Sequence, residues 1–87
     1  MQVILTPGAK KNLNKLHKVP QILIIERLKK LGINPKTSGV EKLVGYKNAY
    51  RLRVGNYRVV YRIIAPKLYI VLIGHRKDVY EKLKRLL

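Results

Sequence analysis

Residues 50–62 read Tyr50-Arg51-Leu52-Arg53-Val54-Gly55-Asn56-Tyr57-Arg58-Val59-Val60-Tyr61-Arg62, two alternating runs around a Gly-Asn pair. Successive strand side chains point to opposite sheet faces, so Tyr50, Leu52 and Val54 share one face and Arg51 and Arg53 the other. Gly55-Asn56 suits a two-residue hairpin turn with positive φ at its first position, which sets Val54 opposite Tyr57 and Arg53 opposite Arg58. Continuing that ladder puts Arg51 opposite Val60 and Arg62 opposite Ala49. Arg51, Arg53, Arg58 and Arg62 therefore line a single face. Like charges directly across a strand pair are destabilising, so the arrangement points to an anionic ligand.

Working outward, Gln2-Val3-Ile4-Leu5 suits a short strand, and Thr6-Pro7 supplies an N-cap with proline at the first helical position. Ala9, Leu13 and Leu16 then recur at helical spacing. Lys18-Val19-Pro20 marks the break into a second helix of about a dozen residues, with Ile22, Ile25, Leu28 and then Leu31 expected inward and Gly32 as its terminating residue. Asn34–Gly39 is loop by composition, and Val40–Leu43 leads through Gly45 into the hairpin. After a turn at Ala65-Pro66-Lys67, the run Leu68–Ile73 reads as a central strand buried on both faces. Asp78 begins a short final helix with Val79, Leu83 and Leu86 on one side. The order β-α-α-β-β-β-α predicts an α+β fold: an N-terminal strand and helical hairpin on a mainly antiparallel sheet, with a short C-terminal helix. Residues 1–87 are expected to form a single domain.

Composition narrows the chemistry. Twenty Lys and Arg stand against four Asp and Glu, for a formal charge of +16. Such a density repels itself unless a polyanion or an acidic partner is bound. A solvated, solubilising surface is the plainer reading of scattered lysines, and the arginine ladder argues against it. There is no cysteine, which removes disulfide and Cys-zinc chemistry and fits a reducing cytoplasm. No signal-peptide pattern and no apolar run of about 18 residues occurs, so no membrane partner is expected. Glu26, Glu41, Asp78 and Glu81 are scattered and His17 and His75 lie far apart, so neither a two-metal nuclease nor a zinc site is expected, and no cofactor is called for.

His75-Arg76 at the end of the last strand, and Tyr80 a helical turn on, are expected to converge on the edge of the arginine face. An imidazole, a phenol and several guanidiniums around one anion suit metal-free RNA cleavage, in which the substrate's own 2′-OH attacks the adjacent phosphorus. Arginine offers phosphate a planar donor fork and keeps its charge, which fits it for charge stabilisation and unfits it for proton transfer. Taken singly, His75 reads as a strand-end histidine with one hydrogen bond, and Tyr80 as a packing residue of the last helix.

Three segments together carry a family pattern: Leu43-Val44-Gly45, then Tyr50 to Tyr61, then Gly74-His75-Arg76-Lys77-Asp78-Val79-Tyr80. The chain resembles the RelE/ParE toxin superfamily, specifically its RelE branch, along essentially its whole length. The resemblance implies the toxin of a type II toxin-antitoxin system, an endoribonuclease that cleaves mRNA in the ribosomal A site, with a cognate acidic RelB-like antitoxin and a cytoplasmic location. By position it implies a catalytic set of Arg51, Arg53, Arg58, His75, Arg76 and Tyr80. Arg58 matches a phosphate-stabilising arginine, and Arg76 and Tyr80 match the C-terminal active-site pair. Arg51 and Arg53 replace residues that are lysines in the best-known member, which shifts proton transfer toward Tyr80 or His75. ParE-like members, which poison DNA gyrase and lack the nuclease residues, and a non-catalytic RNA-binding module or decayed toxin are the alternatives.

Overall fold

The computed structural model describes residues 1–86 in the order β1 (Gln2–Leu5), α1 (Pro7–Asn14), α2 (Lys18–Ile33), β2 (Val40–Lys42), β3 (Ala49–Val54), β4 (Tyr57–Ile64), β5 (Lys67–His75) and α3 (Val79–Leu86). The strands form one sheet in the order β1-β5-β4-β3-β2. β1 runs parallel to β5, and the other neighbours are antiparallel. The α+β expectation holds, with one addition: the three residues of β2, expected only as a lead-in, pair with Tyr50–Leu52 and form the sheet edge. Their reach is too short to show a period-2 pattern, so pairing alone defines them.

Thr6 caps α1, accepting from the Ala9 N–H at 3.2 Å, with Pro7 at the first helical position. α1 and α2 cover one sheet face. Ala9, Ile24, Leu28 and Leu31 pack there against Leu52, Val54, Val59, Tyr61, Leu68, Ile70 and Ile73. The inward frame of α2 differs from the expected one: Ile24, Leu28 and Leu31 are buried, whereas Ile22 and Ile25 are 46% and 36% exposed. Four consecutive apolar residues, Ile22–Ile25, admit either frame, and packing on the sheet selects the one spaced i, i+4, i+7.

Gly32 does not end α2, which continues to Ile33 with Asn34 as its C-cap. A Cβ at Gly32 would sit 3.2 Å from the Met1 carbonyl oxygen and 3.3 Å from Val3 Cγ2. The glycine therefore serves close approach of β1 to the helix.

The hairpin register is as expected: Val54 pairs with Tyr57, Arg53 with Arg58, Arg51 with Val60, and Ala49 with Arg62. Gly55 takes φ 58°, the conformation that closes so tight a turn. The arginine face is not bare, however. α3 lies on it, and Val79 and Leu83 join Leu43, Ala49, Val60 and Leu72 in a second small core. Leu86, expected to pack with them, is 58% exposed.

β5 carries a bulge at Val71. Val60 pairs with Leu72 but Tyr61 pairs with Ile70, leaving Val71 as the extra residue. A bulge reverses the face of every residue beyond it. Leu68 and Ile70 face the helical hairpin before it, and Ile73 after it. No described helix is long and apolar enough to cross a membrane.

Candidate nucleic-acid interface

The hairpin, β2 and the junction between β5 and α3 enclose a cleft of about 660 Å³ lined by Gly39, Glu41, Arg51, Arg53, Arg58, Arg76, Lys77 and Tyr80. Five cations thus border one hollow with a single carboxylate. Local folding explains how each arrives there. Arg51 and Arg53 project from β3 by strand alternation, and Arg58 stands opposite Arg53. Arg58 Nη1 donates to the carbonyls of Gly55 and Tyr57, both at 2.9 Å, so the turn itself orients the guanidinium and leaves its remaining donors uncommitted. The Arg76 N–H donates to the Asn56 carbonyl at 2.8 Å, clasping the chain after β5 to the hairpin tip. Arg76 and Lys77 are thereby brought to the same rim.

Arg51 is the hub. Its Nη2 donates to Glu41 Oε2 at 2.6 Å and its Nη1 to Tyr80 Oη at 2.7 Å. The guanidinium carbon lies 5.7 Å from the Tyr80 ring centroid. The hydrogen bond to Glu41 is the main cause holding Arg51 above its ordinary range; partial burial opposes it and Tyr80 adds to it. Among the described residues this is the one ion pair. The side chains of Arg51 and Glu41 are 36% and 68% exposed, so the pair contributes only about 0–1 kcal/mol to stability. Its consequence is geometric: a chain of three groups with fixed donor directions. Because Tyr80 Oη accepts from Arg51, its own hydrogen is free to point to a ligand.

Five of the six residues expected at the site, Arg51, Arg53, Arg58, Arg76 and Tyr80, line the cleft together. His75 does not. It pairs with Tyr57 on the helical face, 5.8 Å from that ring edge-on, and its Nδ1 accepts the Lys77 N–H at 3.3 Å. The plainer reading of His75, a strand-end residue with one hydrogen bond, describes its position. Gly39, Glu41 and Lys77 are the cleft residues outside the expected set, and of these Glu41 and Lys77 carry charge. Lys77 adjoins Arg76 in the quoted motif, which is a usable signal; Glu41 gave none, since only the pairing of β2 with β3 sets it opposite Arg51.

Comparison with known proteins extends this picture. A family model described as the ParE toxin of the type II toxin-antitoxin system parDE matches residues 3–80. Toxin RelE3 of Methanocaldococcus jannaschii is 35% identical over 60 residues, 68% of each chain. The isolated E. coli RelE toxin superposes with a TM-score of 0.76 at 25% identity, covering 99% of this chain and 98% of that one. The archaeal RelE–RelB complex of Pyrococcus horikoshii gives 0.74 at 27% identity, covering 86% and 93%.

Proposed function

Since the chain belongs to the RelE/ParE superfamily of type II toxin-antitoxin toxins, we propose that it is a metal-independent, ribosome-dependent endoribonuclease that cleaves mRNA in the ribosomal A site. The observation that carries this reading is the cleft itself, in which Arg51, Arg53, Arg58, Arg76 and Lys77 surround Tyr80 and Glu41. The reaction is attack of a 2′-OH on the adjacent phosphorus, with loss of the 5′-oxygen and formation of a cyclic phosphate. Arg58 and Arg76 neutralise charge that grows on the phosphoryl oxygens, the term that usually dominates such catalysis. Glu41 is the one cleft group able to accept a proton without first losing one, and it takes the hydrogen of the 2′-OH. Tyr80, whose oxygen is already engaged by Arg51, donates toward the leaving 5′-oxygen. Arg51 positions both groups.

Residues 1–87 act in this reading as one toxin unit in the cytoplasm, without a cofactor. The partners are mRNA on the ribosome and an acidic, amphipathic RelB-like antitoxin. Relatives solved as RelE–RelB complexes support the antitoxin. The match to a ParE model favours a second reading, inhibition of DNA gyrase, which has no use for the Glu41–Arg51–Tyr80 chain.

Toeprinting on a programmed 70S ribosome separates these. An A-site cut by the native protein, absent with the Arg58→Ala/Arg76→Ala variant, is the expected result. No cut by folded native protein, with supercoiling blocked instead, would transfer the assignment to gyrase inhibition.

A further inference from the structure

The arginine ladder has a fourth member that the cleft does not use. Arg62 shares the face of Arg58, yet the small core of Leu43, Ala49, Val60, Leu72, Val79 and Leu83 lies between them. Four residues of strand set the two arginines about 13 Å apart along β4. Beyond that core Arg62 opens on a separate hollow of about 190 Å³, lined with Gly45, Tyr46 and Lys47. Tyr69 stands opposite Arg62 across the β4–β5 ladder, on the same face.

Among the described residues neither Lys47 nor Arg62 takes part in an ion pair. Arg62 is outside the Arg51–Glu41 ion pair, and among the described residues its side-chain hydrogen bond is a long one, from Nη2 to the Lys47 carbonyl at 3.4 Å. Its Nε is buried with no hydrogen-bond partner. Such an orphaned donor destabilises, so local stability does not account for the guanidinium. A guanidinium and an ammonium sharing a hollow with one phenol, Tyr46, and with a second, Tyr69, across the ladder from Arg62 resemble the pattern that holds single-stranded nucleic acid, phosphate on the cations and bases on aromatic faces.

We infer that Lys47 and Arg62, with Tyr46 and Tyr69 beside them, form a second phosphate subsite that holds the same RNA strand a few nucleotides from the cleft. The inference rests on the RNA reading above. The segment 43–48, which joins Glu41's strand to β3, supplies Tyr46 and Lys47 to this hollow, and Val44 within it is 95% exposed.

The test uses 2′-O-methyl oligonucleotides, which cannot be cleaved, of about three and about ten nucleotides. The native protein is expected to bind the longer one more tightly. Lys47→Gln/Arg62→Gln is expected to weaken that binding roughly tenfold and to lower the salt slope by about 0.7, the contribution of one single-strand phosphate. A control of equal charge, Lys29→Gln/Lys30→Gln on α2, should leave the length preference intact. Equal affinity of the native protein for both lengths, or an unchanged preference in the Lys47/Arg62 variant, would overturn the subsite. So would loss of poly-L-glutamate binding with the oligonucleotide preference kept, which would assign the patch to an acidic protein. Failure of the RNA reading itself shows separately, as absence of an A-site cut by the native protein.

Discussion

Arg51 donates to Tyr80 Oη at 2.7 Å across a sequence separation of 29 residues, and this bond ties the C-terminal helix to the arginine hairpin. The strand supplies the guanidinium and the helix the phenol, and neither element alone makes the pair. The site therefore depends on how α3 docks as much as on the hairpin.

Tyr80→Phe removes the hydroxyl while keeping the ring against Arg51. Cleavage on the ribosome should fall about 100-fold, in the range of lost general acid catalysis, with RNA affinity nearly unchanged. Single-turnover rates beside equilibrium binding check this; equal loss of both would assign Tyr80 to binding.

Glu41→Gln keeps a hydrogen-bond acceptor for Arg51 and removes the carboxylate. The cleavage rate should drop by about 100-fold or more. Binding of an uncleavable oligonucleotide should tighten, because a negative charge has left the phosphate's surroundings. Weaker binding would mean that Glu41 serves mainly to hold Arg51 in place.

Leu83 is 2% exposed and, with Val79, anchors α3 to the sheet. Leu83→Ala should cost about 2–5 kcal/mol of packing, concentrated in the helix that holds Tyr80. The expected result is a loss of cleavage at least as large as in Tyr80→Phe, with hydrogen exchange accelerated in residues 79–86 and little changed in β3 and β4. Uniformly faster exchange would show that α3 is integral to the global fold.

Tyr61 is fully buried, stacks on Tyr50 at 5.6 Å between ring centroids, and donates to the Pro35 carbonyl. Burial, and secondarily Tyr50, raise its phenol well above the ordinary value of 10.0. Above that ordinary value the unfolded chain releases the proton and the folded chain keeps it, so the unfolded state binds fewer protons. Stability from this group is full below pH 10 and falls as pH rises, by about 1.4 kcal/mol per unit until the folded phenol itself ionises. Urea unfolding at about pH 9 and about pH 11 should show this decline, and Tyr61→Phe should reduce it.

The hairpin register, the capped start of α1, the strand Leu68–Ile73 and the face shared by Arg51, Arg53, Arg58 and Arg62 were legible in the sequence alone. Each is fixed within a few residues by alternation, turn chemistry or a cap, and such rules act locally. What tertiary structure decided is which groups meet in the cleft. The bulge at Val71 shows why: without it, alternation from Leu68 and Ile70 would carry His75 to the arginine face, and the one extra residue sends it to Tyr57 instead. That slip depends on packing across three strands and leaves no local mark. Glu41 likewise reaches Arg51 only through the pairing of a three-residue edge strand. Short-range sequence thus determined the elements and their charge, while long-range packing brought the carboxylate of Glu41 and the phenol of Tyr80 to Arg51.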